Sequence, residues 1–354
     1  MQETRAVRRK KLKKNLAEKD VHAHLITSPA NRYYLSGFEL HDPQCNESAG
    51  CLLVTREKDY LLTDPRYLEE GKAYFPEEDI FVYTRDKYKQ IKSYLNKTGI
   101  YRLGFEPQWM NYEFYAAISQ EFEMVPLKGL VEDLRFVKDK RELDLVKKSC
   151  ALNHKVFTRL EQILRPGLRE KDIAWEAEKM FKEEGASEMS FSTIVAAGER
   201  SALPHASPGD RELRDGMPLL VDMGGRYQDY CSDQSRTFWI GSKEDVFFRQ
   251  TRDLVRKAQD LVIEWMAPGR SISEAYQIVS SFFAEHGVDR HFTHSLGHGI
   301  GLETHEAPSL GPNAKGEFIP GMVVTVEPGL YYAGWGGVRW EYMVLVTRSG
   351  VEIL

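Results

Sequence analysis

A repeat inside the second half of the chain constrains its fold more than any other feature. A helix-compatible run with apolar Val146, Cys150, Phe157, Leu160 and Leu164 stops at Pro166-Gly167, and a second run with Ile173, Ala177, Met180 and Phe181 ends at Gly185. The pattern recurs further on: Leu254, Ala258, Leu261 and Trp265 lead to Pro268-Gly269, and Ala275, Val279, Phe282 and Phe283 lead to Gly287. Pro268 stands 102 residues after Pro166, and Gly287 stands 102 residues after Gly185. Proline and glycine are the residues that stop helices, so equal spacing of the stops predicts two equivalent halves built on helix pairs.

Each helix pair is followed by a strand-rich segment that places an acid inside an apolar run. The two versions are Leu220-Val-Asp222-Met-Gly224 and Thr325-Val-Glu327-Pro-Gly329, each followed by a Gly- and Tyr-rich stretch and a second acid, Asp233 in one copy and Glu341 in the other. A carboxylate buried in an apolar strand is costly unless it is paired, protonated or bound to a cation. Any one of these acids could be an isolated salt bridge or a turn residue. As a repeated quartet, brought together by a pseudo-two-fold, they call for cations, and two divalent ions sharing bridging carboxylates relieve the repulsion most simply.

Imidazoles accompany the acids. His294, His298 and His305 fall within twelve positions, and His298 is flanked by Gly297 and Gly299, which let the backbone approach closely. His298 is therefore the better ligand candidate of the three. A set of carboxylates with one imidazole and no thiolate is hard to borderline, and favours Mn²⁺, Co²⁺, Fe²⁺ or Zn²⁺ over copper. Other motifs fail: His305-Glu306 lacks the second histidine of a helical zinc protease site, Gly297–Gly301 lacks the Lys-Ser/Thr of a phosphate loop, and no G-x-S-x-G elbow is present.

The first half carries no such constellation. From about residue 21 to 126 short β-rich runs (residues 24–27, 51–55, 60–63, 80–83 and 100–105) alternate with helix-compatible stretches, as in an α/β domain with a mixed sheet. Cys51–Thr55 and Tyr60–Thr63 flank a charged turn and read as a hairpin. The charged segment between Leu127 and Lys140 sets the boundary, giving domains 1–127 and 128–354.

A net charge of −5 offers no general attraction to nucleic acid or an anionic membrane. Arg5, Arg8, Arg9, Lys10, Lys11, Lys13 and Lys14 form a basic N-terminal run, best read as the solvated face of a first helix. No apolar core follows it as a signal peptide requires, and no stretch approaches the roughly 20 apolar residues that span a bilayer. Four cysteines (Cys45, Cys51, Cys150, Cys231) without a C-x-x-C pair point to a reducing, cytoplasmic setting.

Asp222, Asp233, His298, Glu327 and Glu341 lie in the contexts Val-Asp-Met-Gly, Ser-Asp-Gln-Ser-Arg-Thr, Gly-His-Gly-Ile-Gly-Leu-Glu, Val-Glu-Pro-Gly and Val-Arg-Trp-Glu. In these contexts the chain resembles the pita-bread dimetal metallopeptidases, which include prolidase, aminopeptidase P and methionine aminopeptidase. The first half, with Asn31-Arg-Tyr-Tyr-Leu-Ser-Gly-Phe38, is similar to the N-terminal domain of the prolidase, aminopeptidase P and creatinase branch. The resemblance implies an α+β fold in which a pseudo-two-fold pita-bread domain follows the smaller α/β domain. It also implies two divalent ions, Mn²⁺ or Co²⁺ first and Zn²⁺ or Fe²⁺ next. Asp222 would chelate one metal, His298 and Glu327 the other, and Asp233 and Glu341 would bridge them, with a water between the metals as nucleophile.

In the same resemblance Glu327 also handles the proton, and His205 and His305 contact substrate and transition state. His294 joins the substrate side in support, and Arg339 orients the ligand shell and the substrate. The implied activity is hydrolysis of the Xaa-Pro bond in dipeptides or at the N-terminus of peptides, by a protein that forms homodimers. Two departures stand out: Tyr342 follows Glu341 where the family usually has Asp, and Ser235 stands where it often has Thr. Two alternatives remain open: a non-catalytic peptide- or protein-binding module on the same fold, and a creatinase-like C–N hydrolase. The intact quintet weighs against both.

Overall fold

The apolar runs of the first half become a six-stranded mixed sheet in the computed structural model, which describes residues 2–42 and 47–354. The chain divides into two units, Met1–Arg135 and Phe136–Leu354. In the first, the strand order is Ile80–Val82, Asp59–Thr63, Cys51–Thr55, Ala23–Ile26, Arg102–Phe105 and Glu123–Pro126. The expected hairpin is present, with Cys51 opposite Leu62, while Ala23–Ile26 runs parallel to Arg102–Phe105. Glu123–Pro126 is absent from the expected runs because only Met124 and Val125 mark it, and both are half-buried at the sheet edge.

The basic N-terminal run is helical over Gln2–Glu18, but a solvated face does not describe it fully. Arg9 donates to Asp59 Oδ2 at 2.7 Å and to the Leu35 carbonyl at 2.6 Å. Lys13 lies 3.0 Å from the same aspartate, and the Arg8 guanidinium sits 3.9 Å from the centre of the Tyr34 ring. With Leu12 and Leu16 fully buried, these cations fasten the helix within its own unit.

The second unit shows the repeat in three dimensions. Helices Lys140–Glu161 and Glu170–Glu183 form one pair, and Val246–Trp265 and Ile272–Glu285 form the other. Asp139 starts the first of these with a capping box, its side chain accepting from the Glu142 N–H while Glu142 returns the bond. Gly167 and Gly269 take left-handed backbone at φ 90° and 81°, and their N–H groups donate to Leu213 O at 2.8 Å and Phe318 O at 3.0 Å. The same turn is thus built twice, at the position where a side chain would be strained.

Each helix pair covers its own sheet. The first sheet orders Gln234–Ile240, Met217–Met223 and Ile194–Ala197, and the second orders Glu306–Ser309, His298–Gly299, Val323–Val326, Tyr342–Val346 and Val351–Ile353. Val156, Leu160, Ile173, Ala177 and Phe181 close one core against Val195, Leu219 and Val221; Val255, Val262, Val279 and Phe283 close the other against Val324, Val326 and Val344. Fully burying each such Val, Leu, Ile or Phe side chain contributes about 1.5–3 kcal/mol, so the sheets that carry the acids are held from behind. Among the described residues no helix is long and apolar enough to cross a membrane. Cys51, Cys150 and Cys231 are free and buried; Cys45 lies outside the described residues.

Candidate active site

The acids arrive at corresponding places in the two sheets. Asp222 lies on Met217–Met223, and Asp233 immediately precedes Gln234–Ile240, with Ser235 opposite Asp222 in the ladder. Glu327 follows Val323–Val326 and Glu341 precedes Tyr342–Val346, with Val326 opposite Tyr342. The Glu341 N–H donates to Ser235 O at 3.2 Å, which joins the two halves at the cluster. Behind Asp222 and Glu327 a buried amide grips the strand: Asn153 Nδ2 donates to Met223 O at 2.9 Å, and Gln259 Nε2 to Val326 O at 2.6 Å.

Ligand-capable atoms of Asp222, Asp233 and Glu341 all lie within 4.8 Å of one another. His298 Nε2 stands 3.6 Å from Asp233 Oδ2 and 3.4 Å from Glu327 Oε1, so all five residues meet at one place. The other ring nitrogen of His298, Nδ1, is 3.0 Å from the Gly299 carbonyl. That contact makes Nδ1 the protonated nitrogen and turns the Nε2 lone pair towards the acids. Gly297 permits the approach, since a Cβ there would lie 2.0 Å from Thr325 O.

One guanidinium serves three of the four carboxylates, Asp222 directly, Glu341 through Ser235 and Glu327 at 4.0 Å. Arg339, nearly fully buried, donates from Nη2 to Asp222 Oδ2 at 2.7 Å, from Nε to Ser235 Oγ at 2.7 Å and from Nη1 to the Tyr331 hydroxyl at 2.9 Å. Ser235 in turn donates to Glu341 Oε2 at 2.9 Å, and Thr325 Oγ1 to Glu327 Oε1 at 3.2 Å. Burial first, and then the charges of Glu341, Asp222 and Glu327, push the Asp233 carboxyl well above the usual range. Glu341 is raised in the same way. Burial pushes Glu327 up to about 8, with Arg339 opposing and Asp222 adding to the shift. His298 is lowered to about 4 by burial and then by His305.

Without a cation the site is over-supplied with negative charge. Buried Asp222 Oδ1 and Glu341 Oε1 have no hydrogen-bond partner among the described residues. Orphaned carboxylate oxygens beside an imidazole lone pair form a donor set that fits hard to borderline divalent ions.

A cavity of about 720 Å³ opens onto the cluster, lined by Asp222, Asp233 and Glu327 with His205, His294, His298, His305 and Arg339. His205 is exposed on the turn after the 3-10 helix Gly198–Ala202. The His305 ring meets that of His298 edge to face, 4.2 Å between centroids, and burial lowers its pKa. His294 reaches the cavity with both nitrogens engaged, Nδ1 with Ser295 O at 2.7 Å and Nε2 with the Tyr331 hydroxyl at 2.9 Å. It therefore acts through Tyr331 on Arg339. Tyr331, Thr325, Asn153 and Gln259 are absent from the expected site; the available signal was a polar residue on an otherwise apolar strand or helix face.

The model of metallopeptidase family M24 matches residues 144–348. The chain belongs to metallopeptidase family M24. Membership implies divalent metal ions, in keeping with the donor set above. The Creatinase/Prolidase N-terminal domain matches residues 8–137 of this M24 chain. A Xaa-Pro dipeptidase of Pyrococcus horikoshii is 31% identical over 98% of this chain and 95% of its own. Among solved structures, a Xaa-Pro dipeptidase from Bacillus anthracis superposes with a TM-score of 0.92 at 32% identity, covering 99% of this chain and 97% of that one. An X-Pro aminopeptidase from Thermotoga maritima gives 0.88 at 30% identity, over 98% and 96%.

Proposed function

We propose that this M24 metallopeptidase hydrolyses the Xaa-Pro bond of dipeptides or of peptides with proline in second place, using two divalent ions. The observation that carries the reading is the convergence of Asp222, Asp233, His298, Glu327 and Glu341 on one place, where the first four line a cavity and Glu341 lies buried beside them. Asp222 would hold one ion and His298 with Glu327 the other, Asp233 and Glu341 lying between them. Mn²⁺ or Co²⁺ suits the set best, with Zn²⁺ or Fe²⁺ next. When bound, such ions lower the pKa of water, polarise a carbonyl and stabilise the oxyanion that develops on it.

The protein's own groups supply orientation and proton handling. Thr325 fixes Glu327 through Oε1, which leaves this carboxyl to take a proton from the attacking water and pass it to the leaving amine. An Xaa-Pro nitrogen carries no hydrogen, so proton delivery to the departing proline is the step Glu327 must serve. Arg339 positions Asp222 and, through Ser235, Glu341. His205 and His305 face the cavity outside the ligand set, placed to contact the peptide.

Those two imidazoles also bear on substrate length. Arg339 and His294 commit their polar atoms to Asp222, Ser235, Tyr331 and Ser295, so His205 and His305 are the basic side chains lining the cavity that remain to meet a dipeptide carboxylate. The reading extends to a cytoplasmic homodimer, supported by the three free thiols and by the prevalence of symmetric dimers. The test is amine release from Ala-Pro, Ala-Pro-Ala and Ala-Ala by the protein loaded with Mn²⁺ or Co²⁺. Cleavage of Ala-Pro alone means a prolidase, cleavage of the tripeptide an aminopeptidase P, and equal cleavage of Ala-Ala refutes the proline preference.

A further inference from the structure

A second cavity, of about 1040 Å³, lies on the other face of the strands that carry the acids. Side chains alternate along a strand: Ser235 reaches Glu341 on the cluster side, while Gln234 and Arg236 line this second cavity, as do Trp340 and Tyr342 on either side of Glu341. The Arg236 guanidinium lies 4.6 Å from the ring centres of both Trp340 and Tyr342. Its Nη1 donates to the carbonyl oxygens of Ser235, at 2.8 Å, and of Glu341. These are uncharged acceptors.

Arg256, exposed on Val246–Trp265, brings a second guanidinium to Trp340 at 5.1 Å. Among the described residues neither arginine makes an ion pair, in contrast to Arg252 in the same wall, which pairs with Glu244 and lies 3.7 Å from Asp253. The remaining acids of the wall, Glu161 and Asp215, are exposed. Two neighbouring cations that make no ion pair, over an aromatic floor, leave room for an anion between them.

We infer that this cavity is a second ligand site, for a small organic anion whose phosphate or carboxylate lies between Arg236 and Arg256 and whose flat body rests against Trp340 and Phe157. Guanidinium groups grip both oxyanions in bidentate fashion and stack on rings. The inference does not depend on the peptidase reading, because no side chain of the metal set lines this cavity.

Calorimetric titration of the full-length, metal-free protein tests it, with phenyl phosphate and benzoate as the anionic probes and phenol as the uncharged one. The expected result is saturable one-to-one binding of at least one anion, the tighter one telling phosphate from carboxylate, and no saturation by phenol. Arg256→Gln, on an exposed helix position, and Arg236→Gln should each weaken binding at least about tenfold, with thermal melting to confirm folding. Asp233→Ala should leave it unchanged. Saturation by neither anion, binding of phenol as tight as that of the anions, or binding lost in Asp233→Ala but kept in Arg256→Gln would overturn the site. So would a wild-type dimer that Arg256→Gln converts to monomer, since a second copy would then fill the cavity.

Discussion

Replacing Glu327 by Gln should make the metal-free protein less sensitive to alkaline pH. Burial pushes this carboxyl up to about 8 against 4.5 for a free side chain. Because the folded state holds the proton more tightly than the unfolded one, the stability this group contributes is full below about 4.5 and is lost as pH rises through about 8. At 1.36 kcal/mol per pKa unit the whole loss is about 5 kcal/mol, of which about 4 kcal/mol falls between pH 5 and pH 9. Asp233 and Glu341 are raised too, in part by the Glu327 charge, so both proteins lose stability as pH rises, and the difference between them carries Glu327 together with the relief it gives those two acids, which acts in the same direction. Urea unfolding of the two metal-free proteins from pH 5 to pH 9 gives that difference directly. Glu327→Gln should gain on the wild type by about 4 kcal/mol across the range, and saturating Mn²⁺ should abolish the gain by stabilising the ionised carboxylates. A difference that stays flat with pH, or that moves against the variant, would refute the picture of an over-charged metal-free site.

Asp233→Ala and Glu341→Ala should abolish activity together with bound metal, read by elemental analysis; full metal and activity in Asp233→Ala would contradict the assignment. His205→Ala should keep its metal and lose turnover, because the side chain lies outside the ligand set. Arg339→Met strands the Asp222 carboxylate without its guanidinium and should cost about 3–5 kcal/mol in the metal-free protein, with partial recovery on adding Mn²⁺; chemical denaturation with and without metal checks both. Gly297→Ala would drive a methyl to 2.0 Å from Thr325 O, so it should lower the melting temperature and weaken metal binding at His298, and wild-type values for both would show that the backbones separate without cost.

The repeat was legible because helix stops are local: Pro166-Gly167 and Pro268-Gly269 end their helices through backbone geometry that a sequence states directly. The acids were legible for a similar reason, a charge inside an apolar run being conspicuous wherever it falls. Asn153 and Gln259 were not, since each is one polar residue on a helix and its partner is a strand carbonyl 70 and 67 residues away. Tyr331 was hidden for the same reason: its hydroxyl matters only once folding sets it between His294 and Arg339. The N-terminal basic run was misleading in the opposite sense. Its charge density suggests solvent, yet Arg9 and Lys13 find Asp59 across about fifty residues of chain. Tyr342 in the usual aspartate position takes its meaning from Arg236, whose guanidinium it faces with a ring rather than a carboxylate.

Turnover of Ala-Pro or Ala-Pro-Ala by the metal-stripped protein, titrated with Mn²⁺ while bound metal is counted, tests the central claim most directly. No turnover without metal, and a rise to a plateau at about two bound ions per chain, is the predicted result. Undiminished turnover in the stripped protein, or two bound ions with no cleavage of either peptide, would contradict it.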